Sequence, residues 1–593
     1  MRIKIKRNSV ILILITSTFI ASAQSAMTNI EGRKFYSLNG KWDVIVDLFS
    51  NGSEKKVYEN KVPTNNTQFF EYSFDNGMRL DVPGDWNSQV PELKYYESSI
   101  WYKRDFDCKK VANKRYFIHF GAVNYFAKVY LNGEFLGQHE GGFTPFQFEI
   151  TDNVKAGANF IILEANNKRG ENQIPAMLYD WWNYGGITRD VSLIETPITY
   201  LHDYSIQLSR KIKNRIITEV QLTGVSASQK VNIEIPEIKI KQQITTDNSG
   251  KGAIAFIAKP TYWSPENPKL YTVSISTPYE TIEEQIGFRT IEVKGSDILL
   301  NGEKVFLSGI NIHDEIPQRQ GRAYSDEDAA MLLREAIELG CNFVRLTHYP
   351  ASERMVRMAE KMGIMLWEEI PTWQNIAFHN TKVVALGEQM IREMIARDKN
   401  RCAIIIWSIA NETKVSEARN EVLNSYINLC RKLDTTRLIS AAFNNVNFDK
   451  ETQIVTFSDP LSKQVDIISI NKYFGWYDTW PVPPKEMKWE VCTDKPLIYS
   501  EFGAEALYGQ HASEDVASSW SEEYQEKVYI DHVAMFANIT NLRGVSPWVL
   551  FDFRSPYRMH QRNQQEWNRK GIISDKAYYK KAWYVLRDYY KQK

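Results

Sequence analysis

Two β-sandwiches followed by a (β/α)8 TIM barrel is the architecture this sequence predicts, and three observations predict it. The chain has 593 residues, too many for one hydrophobic core, which sets an expectation of about three or four domains. From about Gln24 to Arg289 the pattern is one of short alternating strands broken by turn signals, with no convincing helical period. After "GFRTIEV" the character changes, and apolar strands alternate with amphipathic helical stretches such as "DEDAAMLLREAIELG" and "ASERMVRMAEKMG".

Taken in order, the chain opens on a targeting pattern. Positive "MRIKIKR" precedes an apolar run from Val10 to Ala21, and "ASAQ" offers small residues for cleavage after Ala23. Residues 1–23 are therefore expected to be a signal peptide, and the mature protein to be exported, periplasmic or secreted. The run is short for a membrane span, no later segment reads as one, and no cysteine at the cut suggests a lipid anchor. Residues 24–197 form the first sandwich, with "KRYFIHF", "FIILEAN" and a hairpin turning at Asn132-Gly133 in "AKVYLNGEFLGQHEGG". Residues 198–292, with turns at "DNSGKG" and "SPENP", make a smaller sandwich of immunoglobulin-like size.

Composition narrows the function classes. Lysine plus arginine equals aspartate plus glutamate at 72 each, so no net field favours a polyanion, and nucleic acid or an anionic membrane is a poor partner. Aromatic residues make up 13% of the chain, enough to supply sugar-binding platforms as well as core. The five cysteines form no CxxC pair and leave an odd thiol, so they read as small buried residues rather than a metal or redox site. Neither a cofactor nor a metal is implied.

The barrel, residues 293–593, is read from eight candidate strands: "VFLSGINIH", "CNFVRLTHY", "IMLWEEI", "AIIIWSIANE", "LISAAF", "VDIISINKYF", "PLIYSEFG" and "VSPWVLFDF". Strand C-terminal ends ring the active site of such barrels. Here those ends carry His313, His348, Glu368 with Glu369, Asn411 with Glu412, Asn471 with Tyr473, Glu501, and Trp548 with Asp552. A lone strand ending in Glu412 would be explained by a loop cap; polar or aromatic ends on seven of the eight strands converge on one mouth.

Glu412 closes the fourth strand and Glu501 the seventh, facing each other across the mouth. Two carboxylates flanking a ligand suit glycoside hydrolysis, and a separation of roughly 5 Å implies double displacement with retained configuration. The apolar approach "IIIW" raises Glu412 by desolvation, favouring it as the acid, and Asn411 is placed to bond a sugar hydroxyl. Tyr473 is expected to donate to Glu501 and keep it ionised, as a nucleophile must be. His313 and His348 are expected to contact ligand rather than serve as core histidines, and they lack a third ligand for zinc. Trp548 is expected under the sugar's apolar face. Glu368 and Glu369 are expected to be structural, with Arg345 a candidate partner.

With "AIIIWSIANE", "LIYSEFG" and "LTHYP" together, the chain resembles glycoside hydrolase family 2 over essentially the whole mature sequence. The resemblance implies a sugar-binding-type jelly-roll first sandwich, carried by "VYLNGEFLGQHEGGFTPF" and "NYGGITRDVSL", with Glu412 as acid/base and Glu501 as nucleophile. Within that family the β-glucuronidase branch is most similar. "NKYFGWY" then implies Asn471, Tyr473 and Tyr477 as glycone or nucleophile contacts, and Asp180 in "DWWNYGGI" matches an aspartate reaching the sugar from the jelly roll. "NRKG" implies that Asn568 and Lys570 clamp the sugar's C6 carboxylate, a charge-assisted contact useless to a neutral hexose.

One departure stands out. Gln564 occupies the offset where that branch often has arginine, and Arg554, Arg558 or Arg562 would have to substitute. The expected substrate is thus a terminal β-glucuronide, small conjugate or polysaccharide-derived, with a β-galacturonidase or β-galactosidase as the enzymatic rival. The rival of another class is a non-catalytic carbohydrate-binding protein, disfavoured because both carboxylates are present. Members of the family commonly form dimers or tetramers, so a homo-oligomer fits the resemblance.

Overall fold

The computed structural model describes residues 22–75 and 77–593. The expected signal peptide, residues 1–23, thus lies outside the described residues apart from its last two.

Period-two burial builds the first sandwich. In Gly40–Asp47, Trp42 and Val44 are buried while Lys41 is exposed. That strand belongs to a six-stranded sheet ordered Met78–Val82, Gly40–Asp47, Ser99–Cys108, Gly157–Asn166, Phe126–Leu131, Glu134–Glu140. A five-stranded sheet covers it, with Trp42, Leu80, Ile100, Ile118, Phe120 and Leu193 packed in the shared core. The Asn132-Gly133 hairpin has φ of 52° and 89°, the left-handed pair that a two-residue turn between twisted strands requires. The second sandwich sets three strands (Tyr200–Leu208, Arg215–Thr223, Lys251–Ile257) against four. In its last strand, Thr281–Ile286, Ile282 and Ile286 enter the core. Glu284, also buried, pairs with Arg357 and Arg401 of the barrel domain. Burial alone would raise this carboxyl; the two guanidinium groups outweigh it and hold it at about 2.

Eight parallel strands close the barrel: β1 (Leu307–His313), β2 (Phe343–Thr347), β3 (Met365–Glu369), β4 (Ile404–Asn411), β5 (Leu438–Phe443), β6 (Ile468–Asn471), β7 (Leu497–Glu501) and β8 (Leu542–Val545). β1 to β7 are buried along their whole length, which is why they read as apolar runs. Helices α1 (Asp326–Leu339), α2 (Glu353–Met362), α3 (Thr381–Asp398) and α4 (Glu417–Leu433) follow β1 to β4, and α5 (Glu522–Phe536) and α6 (Lys581–Tyr590) follow β7 and β8. Their limits are chemical: α1 starts on a Ser325–Asp328 capping box and stops at Gly340, and α2 runs from Ser352 to Gly363. Short 3-10 turns, Pro460–Lys463 and Pro484–Glu486, stand where helices would follow β5 and β6, each opening on a proline that cannot donate to a helical ladder.

The eighth strand differs from the sequence expectation. It ends at Val545, where "VSPWVLFDF" was expected to begin it. Ser546 still donates to Tyr499 O (2.8 Å), but Pro547 has no N–H to extend the ladder. The apolar residues beyond are buried as a loop, with Leu550 N donating to Asn311 O at 3.0 Å.

Candidate active site

The C-terminal ends of the barrel strands open into a cavity of about 560 Å³, with Leu178, Tyr179 and Asp180 of the first sandwich forming part of its wall. Of the sequence-predicted site residues, Glu412, Glu501, Asp180, His348, Asn471, Tyr473, Tyr477, Trp548 and Lys570 all line it.

Glu412 stands one residue past β4 with φ of 53°, a left-handed conformation that a side-chain-bearing residue seldom adopts. Backbone bonds enforce it: Asn411 N donates to Thr372 O (2.9 Å) and Glu412 N to Ala442 O (2.9 Å). Its carboxyl accepts from two side-chain amides, Asn471 Nδ2 on Oε1 and Gln374 Nε2 on Oε2, both at 3.1 Å. Burial raises its pKa, the charge of Glu501 raises it further, and the two amides only partly offset the rise.

Parallel register sets Asn471 of β6 directly beside Glu501 of β7. Glu501 accepts from Arg345 Nη1 on Oε1 (2.7 Å) and from Tyr473 Oη on Oε2 (2.8 Å). Arg345 is buried and also donates to Glu369 (3.0 Å) and to Asn411 Oδ1 (2.7 Å). One guanidinium thus ties together residues from the ends of β3, β4 and β7. Asn411 itself does not line the cavity; its Oδ1 is taken by Arg345 and Asn471, and its buried Nδ2 has no partner among the described residues.

A second charged cluster stands on the same cavity wall. Lys570, 1% exposed, donates to Tyr477 Oη (2.7 Å) and to Glu505 Oε1 (3.1 Å). Arg558 pairs with Asp180 (3.0 Å through Nε), donates to Tyr477 Oη (2.9 Å) and approaches Glu505 (3.4 Å). Arg558 is therefore the loop arginine that reaches the cavity: Arg554 lies over Trp182 and pairs with Glu566, while Arg562 is exposed elsewhere. Gln564 is spent on Glu505, at 3.0 and 3.1 Å to its two oxygens.

Besides Asn411, two residues expected to contact ligand do not line the cavity. His313 lies beneath the cavity floor, its ring 4.2 Å from Phe553 and its Nδ1 at 3.1 Å from Tyr349 Oη, and burial drives its pKa well below the usual histidine value. Its ring packs against Phe553 and Trp548, and its buried Nε2 has no partner among the described residues. Asn568 is fully buried and off the wall, donating to Asp180 Oδ2 (3.2 Å) and accepting from Lys570 N (3.2 Å). It positions the cluster rather than touching the cavity. Asp552, also expected at the mouth, is buried in ion pairs with Lys580 (2.8 Å) and Arg569 (3.2 Å). His348 and Trp548 do reach the cavity, stacked at 4.8 Å, with Glu369 fixing the histidine at 2.8 Å. Glu369 is structural, as is Glu368, which pairs with Arg397 at 2.9 Å.

Sequence reasoning missed the role of Arg345 at Glu501, and missed Gln374, Glu505 and the wall residues Trp373, Asn375 and Asn444. Only Arg345 carried a signal, a charge inside the otherwise apolar strand "FVRLT".

Comparison with known proteins agrees with this geometry. The family model "Glycosyl hydrolases family 2, TIM barrel domain" matches residues 291–592. The same family's sugar binding domain matches residues 35–197, and a third family 2 model matches 199–289. The chain is 26% identical to a β-glucuronidase of Streptococcus agalactiae over 86% of this chain and 93% of that one. Its fold matches a β-glucuronidase structure from an uncultured Clostridium with a TM-score of 0.81 at 25% identity, covering 96% of this chain and all of that one. A β-galacturonidase from Eisenbergiella tayi bound to galacturonate matches with a TM-score of 0.80 at 25% identity, covering 97% and 99% of the two chains.

Proposed function

The chain belongs to glycosyl hydrolase family 2, and on that premise we propose that it is an exo-acting β-glucuronidase working with retention of configuration. The observation that carries the glycone is the buried ammonium of Lys570, which with Arg558 gives the cavity two cations on the wall that also holds Tyr477. A uronate carboxylate gains charge-assisted bonds there, while a neutral hexose leaves both cations to their present partners. The names of the similar β-glucuronidases support the same reading. Asp180, held by Arg558 on the cavity wall, is suited to a glycone hydroxyl.

In the first step Glu501 attacks the anomeric carbon, the glycosidic C–O bond breaks, and Glu412 gives its proton to the departing oxygen. In the second, Glu412 takes a proton from water, the water oxygen bonds to the anomeric carbon, and the ester to Glu501 breaks. Two features support these roles. Glu412 is raised by burial and by the negative charge of Glu501, as an acid requires. Glu501 is oriented by Arg345 and Tyr473 with neither of its donors belonging to the acid's network of Gln374 and Asn471. The pairing of Gln564 with Glu505 leaves a β-galacturonide as the second reading, which the Eisenbergiella tayi neighbour also favours.

A panel of chromogenic β-glucuronide, β-galacturonide, β-galactoside and β-mannoside tests the glycone, with the glucuronide expected to show the highest kcat/KM. Proton NMR of the first-formed anomer tests retention; an α-anomer product overturns it. We also propose, on the N-terminal pattern alone, that the protein is exported with its first 23 residues removed. A secreted or periplasmic form beginning at Gln24 is the expected result of N-terminal sequencing.

A further inference from the structure

Where a leaving group must sit follows from the proton it receives. Glu412 can protonate only an oxygen within hydrogen-bond reach, so the departing part of the substrate lies against the residues flanking Glu412. This step rests on the reading of Glu412 as the acid. Two loops make that flank, and backbone bonds fix both to the strand that carries the acid. The loop after β3 runs on beside β4: Asn411 N donates to Thr372 O, and Gln374 N donates to Asn411 O, each at 2.9 Å. Trp373, Gln374 and Asn375 are thereby held next to Glu412. On the other side, Glu412 N donates to Ala442 O at 2.9 Å, which sets Asn444 two residues further along the loop after β5.

The chemistry of this flank is that of amides around one aromatic ring. Gln374 is occupied by Glu412. Asn375 and Asn444 are exposed, line the cavity, and have side chains with no hydrogen-bond partner among the described residues. Trp373, half-buried, lines the same cavity with its ring edge-on to Trp181 at 5.9 Å. The exposed apolar side chains of the wall belong with the cationic cluster instead: Leu178 and Tyr557 stand beside Asp180 and Arg558 in the chain, and Tyr477 accepts from Lys570 and Arg558. An aryl or polycyclic leaving group placed between Asn375 and Asn444 would take water from two amides and return nothing. A pyranose offers hydroxyls to both and an apolar face to an indole.

We propose that Trp373, Asn375 and Asn444 form a leaving-group subsite for a sugar ring, so that the substrate class is an oligosaccharide capped by the recognised glycone rather than an aryl conjugate. The two amides read the hydroxyls of the penultimate residue, and Trp373 carries its less polar face.

The test compares a disaccharide and an aryl glycoside carrying the same glycone, whichever glycone the chromogenic panel shows to be accepted. An error in the glycone therefore appears in the panel and leaves this comparison measurable. For each enzyme form the readout is the ratio of kcat/KM on the disaccharide to kcat/KM on the aryl glycoside, and its change from parent to variant cancels the intrinsic reactivity of the two leaving groups. Asn375→Ala/Asn444→Ala is expected to lower that ratio about tenfold or more, as two lost hydrogen bonds imply. Trp373→Leu is expected to lower it as well. A ratio unchanged in both variants, or one that rises in either, overturns the proposal. Both asparagines are exposed, so the double variant tests the subsite without opening the core.

Discussion

Replacing Lys570 by methionine removes one charge and keeps most of the side chain's packing against the Tyr477 and Trp476 rings, whose centroids lie 4.7 and 5.7 Å from the ammonium. Two of the ammonium's three N–H donors are used by Tyr477 and Glu505, which leaves one for the proposed uronate. Truncating one member of a desolvated charge contact costs about 2–5 kcal/mol. Taking about 3 kcal/mol, kcat/KM on an aryl β-glucuronide should fall roughly 10²-fold. On the matching β-galactoside, which has no carboxylate, the loss should stay below about tenfold, since only packing is disturbed. Glu505 is not orphaned by the change: Gln564 still donates to it at 3.0 Å and the backbone N–H of Arg569 at 3.1 Å, so the variant should remain folded. Steady-state kinetics on the two substrates, with a thermal melt of each protein, decide the matter. Equal proportional losses on both substrates would refute the assignment of Lys570 to a uronate.

Glu501→Gln should lower kcat by at least about 10⁴-fold while substrate still protects the protein against thermal unfolding, and near-normal turnover would remove Glu501 from the nucleophile role. Because the pKa of Glu412 is raised, activity should fall on the alkaline side with a limb above the ordinary carboxylate range of about 4.3, as the acid loses its proton. Gln374→Ala removes an N–H donor that favours the charged form, so this limb should move to higher pH; a shift to lower pH in the kcat/KM profile would contradict the geometry. Glu284, held at about 2 by Arg401 and Arg357, contributes stability that is complete above its unfolded value of about 4.3 and is lost as pH falls through about 2. Glu284→Gln should therefore lower Tm at pH 7 by the equivalent of about 3 kcal/mol, with the gap to the unaltered protein closing between about pH 4.5 and 2 in acid melts.

What the sequence disclosed, and what it hid, follow from how far each signal depends on distant parts of the chain. β1 to β7 were legible because a strand buried on both faces must be apolar throughout, and Glu412 and Glu501 were legible as acids that end such runs. The eighth strand was placed late because the loop "WVLF" is as buried as a strand, and only Pro547 marks where pairing stops. The place of His313 was hidden because its position at the end of β1 does not tell which way the ring turns; Phe553 and Trp548, both far along the chain, hold it off the cavity wall. The resemblance paired Asn568 with Lys570 as a clamp on the sugar's C6 carboxylate; the two do stand side by side, yet Asp180, 388 residues away from Asn568, claims the amide. Gln374, Asn375 and Asn444 stand in loops with no period at all, and only the backbone bonds to β4 and its neighbour reveal them.

These same contacts divide the work between domains. Glu412 and Glu501 are held by barrel side chains, those of Arg345, Gln374, Asn471 and Tyr473. The cationic cluster is not, since Asp180 of the first sandwich is the counter-ion that holds Arg558 in the cavity and anchors Asn568 behind Lys570. That sandwich is docked by aromatic packing, with Phe143 stacked on Tyr349 at 4.1 Å, and by polar contacts. Arg189 donates to Pro350 O at 2.6 Å, Arg354 pairs with Asp190 at 3.0 Å, and Thr144 donates to Glu393 at 2.6 Å. The directional polar contacts fix the orientation of the packed seam. On the proposed reading, glycone recognition would depend on a domain that carries neither Glu412 nor Glu501. A loosened seam should therefore act first on the hold over the sugar's carboxylate and only afterwards on the chemistry at Glu412 and Glu501.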